Sequence, residues 1–248
     1  AYLCFQTLIG AWPINADRAA AYLLKSSREA KLRTSWIAPD AAYEDALERF
    51  VRGALGDAGF VAAVEQAVAP LVEPGRRAAL GQVALELTAP GIPDLYQGDE
   101  LWQLSLVDPD NRRPVDYAAR RRLLAEAAVV DAAAAWARRD EGLAKLWLVR
   151  HALDLRRRHE EAFRSGGYRA MRAEGPLADA VVAFERGGEV ATVVPRLVGR
   201  VERLGWLGTT LALPPGRWRN LDGAEHGGSR LLAELTVVFP VAILERVA

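Results

Sequence analysis

Between Gln97 and Asp116 the chain gathers several hydrogen-bonding side chains in one loop. Gln97, Glu100, Asp110, Asn111, Arg112 and Arg113 combine amide, carboxylate and guanidinium groups, the donors and acceptors that suit a polyhydroxylated ligand. For each residue taken alone, the plainer account is an internal ion-pair network that only shapes a loop. As a group they read better as a binding site. Asp108 and Asp116 flank the two arginines and are expected to be their structural partners.

Other chemistries find little support. Cys4 is the single cysteine, so no intrachain disulfide can form, and three scattered histidines make no metal cluster with it. No metal site and no cofactor are expected. Basic and acidic residues balance at 32 each, which leaves no general electrostatic reason to expect nucleic acid or an anionic membrane as partner. No apolar run approaches the roughly 20 residues that span a bilayer, and there is no signal-peptide pattern. Cytoplasmic is the default. Half the residues are apolar (51%) and 26% are charged, the balance of a globular protein with a real core.

A site on a loop needs elements to hold it. Residues 1–88 read as helical. Tyr2-Leu3-Cys4-Phe5 already looks like mid-helix, and a helix beginning uncapped at Ala1 reads as a cut made in a longer protein. Asp17 is expected to cap a helix running to Leu32, and Pro39-Asp40 to open a second, closed by Gly56. Asp57 is expected to cap a third, and Pro74-Gly75 to separate a fourth. Their apolar stripes, including Phe50, Val51, Val64, Val68, Leu71 and Leu80, are expected to face a core. Arg28, Glu29 and Lys31 read as an exposed ion-pair face.

The texture changes at Pro90-Gly91-Ile92-Pro93, where two prolines forbid a helix and residues 92–96 could form one short strand. A polar loop follows, then helices over 117–130 and 142–163. The Arg156-Arg157-Arg158-His159 run suits a solvated helix C-terminus. From Tyr168 the period becomes β. The runs 181–184 and 190–194 flank Arg186-Gly187-Gly188-Glu189, a strong hairpin signal because both glycines can take positive φ. Further strands are expected near 210–213, 218–220, 230–232 and 236–244, giving an antiparallel β-sandwich. The seven tryptophans could include a stacking platform for a ligand, yet Trp147 and Trp218 lie in core-like patterns and most should be packing residues.

The segment Pro90-Gly91-Ile92-Pro93-Asp94-Leu95-Tyr96-Gln97-Gly98-Asp99-Glu100 resembles the eighth barrel strand of α-amylase-superfamily enzymes. Its continuation, Ser105-Leu106-Val107-Asp108-Pro109-Asp110-Asn111-Arg112-Arg113-Pro114-Val115-Asp116-Tyr117, resembles the maltooligosyltrehalose synthase family more specifically. So do Gln6-Thr7-Leu8-Ile9-Gly10-Ala11-Trp12-Pro13, Arg28-Glu29-Ala30-Lys31, Thr34-Ser35-Trp36 and the closing Phe239-Pro240-Val241-Ala242-Ile243-Leu244-Glu245-Arg246.

The resemblance implies an α+β fragment in three parts. Residues 1–88 would be a helical block, and 89–163 the end of a (β/α)8 barrel with its strand-eight loop. Residues 164–248 would be the C-terminal antiparallel β-sandwich of a TIM-barrel parent. It implies conversion of the reducing-end α-1,4 linkage of a maltooligosaccharide to an α,α-1,1 linkage, by a retaining mechanism. The implied partners are that substrate and the missing N-terminal barrel portion of the same enzyme. Loops at the C-terminal mouth of such a barrel build its site, which would place Gln97, Glu100, Asp110, Asn111, Arg112 and Arg113 at substrate.

One departure limits this reading. The superfamily's catalytic carboxylates lie in upstream motifs, the last of them a His-Asp pair, and none of His151, His159 or His226 is followed by Asp. No catalytic residue is therefore assigned, and the chain alone is expected to be inactive. The alternatives are part of another superfamily glucosidase or phosphorylase, or a free-standing carbohydrate-binding or structural module.

Overall fold

The structure is a computed structural model that describes residues 2–247. It divides into two compact units. The first joins the residues up to Val72 with Gln103–Pro114; the second joins Glu73–Trp102 with the chain from Val115 onward.

Four helices build the first unit: α1 (Tyr2–Ala11), α2 (Ala16–Ala30), α3 (Ala41–Gly56) and α4 (Ala58–Val68). Capping chemistry sets their starts, because each first turn leaves backbone N–H groups without intrahelical partners. Asp40 and Asp57 cap α3 and α4 as expected, accepting from Tyr43 N at 3.0 Å and Phe60 N at 2.7 Å. The cap of α2 is Asn15, not Asp17: Asn15 Oδ1 accepts from Arg18 N at 2.9 Å, and Asp17 lies inside the first turn. An Asn and an Asp two residues apart are equivalent to a sequence pattern; the backbone of the preceding turn decides between them.

Leu8, Ala19, Leu23, Val51 and Val64 share one buried cluster. The stripe of α3 is less buried than its periodicity suggests. Val51 is 2% exposed, but Phe50 remains 51% exposed; in the turn after α4, Leu71 is 47% exposed. Helical spacing finds an apolar face; only tertiary packing says how much of it is covered.

In the second unit α5 (Val72–Thr88) contains Pro74-Gly75 within its first turn, where proline lacks only an N–H that the helix does not use. The helix therefore begins at Val72, not after the pair. α6 (Tyr117–Ala127), α7 (Ala132–Ala137), α8 (Leu143–Arg158) and α9 (Glu160–Arg164) follow. The single helix expected over 142–163 breaks at His159, whose φ of −116° and ψ of 42° leave the helical region. The basic run closes α8 as expected but is more than a solvated cap. Arg156 Nη1 donates to the Leu87 carbonyl at 2.8 Å, Arg158 pairs with Glu245, and His159 Nδ1 meets Glu189 at 2.9 Å. Only Arg157, pairing locally with Asp154, stays largely exposed.

Residues 92–96 join no sheet, and Ile92 is 96% exposed. A strand exists through its ladder partners, and the described residues offer this segment none. The expected eighth-strand segment is thus coil in this chain.

The β region starts at Tyr168 as expected. Its strands are β1 (Tyr168–Met171), β2 (Ala173–Glu174), β3 (Val181–Arg186), β4 (Val190–Pro195), β5 (Thr210–Ala212), β6 (Trp218–Asn220), β7 (Glu225–His226), β8 (Ser229–Leu231) and β9 (Ala242–Arg246). Two short helices intervene, α10 (Val198–Leu204) and α11 (Leu232–Leu235). The strand expected over 236–244 begins only at Ala242, since residues 236–241 are turn and bend. All pairings are antiparallel, in one sheet of order β1-β3-β4-β9-β6-β7 and another of order β2-β5-β8.

Strand β4 is buried along its whole length because both faces of the larger sheet are covered. Val190 and Val194 pack with the helices through Leu80, Trp147 and Leu155. Ala191 and Val193 pack on the opposite side with Leu211, Trp218 and Leu232. This period-2 partition between two cores explains the unbroken apolar run in the sequence. Trp147 and Trp218, at 1% and 0% exposure, are the core residues their patterns suggested.

Candidate functional site

Arg18, Tyr22 and Lys25 stand on one face of α2 at helical spacing, and loop Gln103–Pro114 lies across that face. The loop is pinned through Asp110. Its Oδ1 and Oδ2 accept from Arg18 Nε and Nη2, each at 2.8 Å, and Oδ2 also accepts from Leu106 N at 2.7 Å. Arg18 Nη2 donates in addition to the Leu104 carbonyl at 2.8 Å. The bidentate bond from Arg18 holds the Asp110 carboxyl below the usual carboxylate range, overcoming the opposing effect of partial burial.

The neighbouring residues close the network. Arg113 Nε donates to the Asp110 carbonyl at 3.0 Å and lies 3.3 Å from Oδ1. Arg112 Nη2 donates to Asp108 Oδ2. Hydrogen bonds from Arg112 and then Asn111 lower the Asp108 pKa. Asn111 thus spends its amide donor on Asp108, while its Oδ1 is buried with no hydrogen-bond donor among the described residues.

Between α2 and the loop runs an open groove of about 290 Å³, lined by Arg18, Tyr22, Lys25, Val107, Asp108 and Asp110 among others. It offers an aromatic ring, cations and carboxylates within one concavity, a combination that recognises polar ligands with apolar faces. Both Asp108 and Asp110 are held ionised by guanidinium partners, so neither is suited to proton donation near neutral pH. The arrangement is one for binding.

Gln97 and Glu100 belong to the second unit. Glu100 Oε2 accepts from Arg120 Nε at 3.0 Å, and Arg120 Nη2 donates to the Gly98 carbonyl at 2.8 Å. Lys145 Nζ donates to the Leu101 carbonyl at 3.1 Å, and burial lowers its pKa. Gln97 is exposed, with no side-chain hydrogen bond among the described residues. The six candidates therefore fall into two sets, Asp110, Asn111, Arg112 and Arg113 in one unit and Gln97 and Glu100 in the other.

Asp108 is the partner of Arg112, as expected. Asp116 caps α6, accepting from Ala119 N at 2.9 Å. Arg18, Tyr22 and Lys25 were not singled out from sequence, although their spacing placed them on one face of α2. The missing information was which loop covers that face. Among the described residues no group of three His, Cys, Asp or Glu side chains is arranged to hold a metal ion. No single helix among them is long and apolar enough to cross a membrane.

No protein-family model matches the chain. A solved structure of maltooligosyltrehalose synthase from Arthrobacter ramosus superposes with a TM-score of 0.87 at 36% identity, over 99% of this chain and 32% of that one. A Mycobacterium tuberculosis protein (strain CDC 1551 / Oshkosh), provisionally named maltooligosyl trehalose synthase, is 38% identical over 98% of the chain and 31% of its own length. The likeness is to maltooligosyltrehalose synthase. A second crystal structure of a maltooligosyl trehalose synthase agrees at 26% identity and a TM-score of 0.80. The resemblance read from the Ser105–Tyr117 stretch and the flanking motifs is borne out along the whole chain. The chain spans about a third of the length of the maltooligosyltrehalose synthases it matches.

Proposed function

We propose that the chain is the C-terminal part of a maltooligosyltrehalose synthase. That enzyme would turn the reducing-end α-1,4 linkage of a maltooligosaccharide into an α,α-1,1 linkage by retaining intramolecular transglycosylation. One observation carries the reading: a 38% identity that runs through 98% of this chain but only 31% of the relative. The retaining chemistry needs two carboxyl groups about 5 Å apart across the scissile bond. We assign that pair to polypeptide beyond this chain, an N-terminal barrel portion acting in the cytoplasm. Residues 89–163 then complete the barrel, the coil at 92–96 becoming its eighth strand once neighbours pair with it, and residues 164–248 form the terminal sandwich.

Within this reading, Gln97, Glu100, Asp110, Asn111, Arg112 and Arg113 serve substrate binding, joined by Tyr22 and Lys25. The work of such a loop is to keep the released glucose in place while it turns, so that its anomeric hydroxyl attacks before water does. In the longer enzyme, Arg112→Ala and Arg113→Ala should each lower kcat/KM by roughly ten-fold and raise the share of free glucose over trehalosyl product. Wild-type kinetics and an unchanged product ratio in both variants would leave the loop as scaffold only.

A further inference from the structure

Of the seven tryptophans, Trp36 alone is exposed, at 57% of its surface; the other six are buried or half-buried. A large aromatic ring left in water is not held there by packing, so the cause must be sought in its frame. The Arg28 guanidinium lies over the Trp36 ring, its carbon 4.8 Å from the centroid. That guanidinium is itself fixed, because Nε and Nη2 donate to the two oxygens of Glu44 at 2.8 and 2.6 Å. The hydroxyl of Thr34, a buried residue, donates to Glu44 and accepts from Asp40 N at 3.1 Å. Ser35 N donates to the Ala38 carbonyl at 3.2 Å, closing the turn around the ring. Lys31 leads into this segment with a φ of 56°, a left-handed conformation that a non-glycine residue adopts at a cost.

One ring face is thus backed by a fixed cation, and the segment that carries the ring is tied at both ends. A ring immobilised before binding loses little conformational entropy when a ligand stacks on it. We infer that Trp36 is a stacking platform for a glucopyranose unit of a maltooligosaccharide, with Arg28 as the positioning residue behind it. The inference rests on the carbohydrate reading above. It adds a contact away from the Gln103–Pro114 loop. The C–H face of a hexopyranose is apolar and flat enough to lie on an indole, while its hydroxyls stay solvated at the rim. The flanking Leu32 and Ile37, 84% and 95% exposed, extend the apolar surface beside the ring.

The test is an indole N–H NMR titration of the 248-residue chain with maltohexaose, with Trp36→Phe identifying the resonance. The Trp36 signal should move on addition of sugar. By calorimetry Trp36→Ala should weaken binding about ten-fold or more, with Trp36→Phe retaining part of the affinity. Arg28→Met should weaken binding less than Trp36→Ala. If other indoles shift while Trp36 stays still, sugar binds elsewhere; the platform is overturned and the carbohydrate reading stands. If no indole moves at millimolar sugar, the platform falls too, and the carbohydrate reading is judged separately by the activity of the longer enzyme. A lowered Tm in Trp36→Ala with unchanged affinity would assign the ring to polypeptide packing and equally overturn the inference.

Discussion

Glu44 accepts from two nitrogens of Arg28 and from the Thr34 hydroxyl, and these bonds hold its pKa down to about 2 from an ordinary 4.5. Because the folded value is the lower one, the unfolded chain binds the proton first as acid is added. The stabilising contribution is therefore complete above about pH 4.5 and is lost progressively as the pH falls towards 2. Glu44→Gln should lack this acid-side loss, so the two proteins' urea unfolding midpoints should converge between those limits. Parallel midpoints from pH 6 to pH 2 would refute that role. Asp110 uses the same device in the groove, with Arg18 in the part of Arg28. In each case a carboxylate that sequence offers as a reactive group is used instead as an anchor for a segment near a candidate binding surface.

The β3–β4 hairpin shows what is demanded of one element. Gly187 and Gly188 take φ of 59° and 73°, and the Glu189 N–H donates to the Arg186 carbonyl at 3.0 Å. Any Cβ pays for the left-handed conformation, about 1–2 kcal/mol. At Gly187 it would also come within 2.9 Å of Ala162 Cα, whereas at Gly188 nothing lies within 4 Å. Gly188→Ala should thus cost about 1 kcal/mol and Gly187→Ala clearly more, measured by denaturant unfolding. Equal losses would show that α9 does not press on the turn. The preceding residue, Arg186, is only 3% exposed and donates to the carbonyls of Thr88, Ala162 and Phe163 at 3.3, 3.2 and 2.9 Å. It satisfies the ends of α5 and α9 where their last carbonyls lack intrahelical partners.

At the scale of the molecule, the larger sheet carries a core on each face, helical on one side and formed with the second sheet on the other. Some of its pairings, such as β4 with β9, are non-local in sequence, yet every strand is antiparallel to its neighbours, so no crossover helix is required. The other unit has its own, smaller cluster around Leu8, Leu23 and Val51. Neither unit presents a carboxylate pair that we assign to catalysis. The purified chain should accordingly show neither trehalosyl-forming nor hydrolytic activity on maltooligosaccharides, assayed by chromatography of the products. Turnover by the clean 248-residue protein would place catalytic groups within it.

Local chemistry was legible in the residues. The Asp40 and Asp57 caps, the Gly187-Gly188 turn, the buried Trp147 and Trp218 and the onset of strands at Tyr168 all follow from short-range rules, because neighbours in sequence impose them. The Ser105–Tyr117 stretch likewise points to maltooligosyltrehalose synthase. Choices between equivalent local options needed the third dimension. Asn15 prevails over Asp17 as a cap, Glu44 draws Arg28 away from the surface of α2, and the basic run at 156–159 ties into Leu87, Glu189 and Glu245. Residues 92–96 carry strand-like side chains yet stay coil, since a strand is stabilised by hydrogen bonds to another segment. Arg18, Tyr22 and Lys25 become a candidate binding face only because a loop some eighty positions later folds onto α2, and that is a property of packing alone.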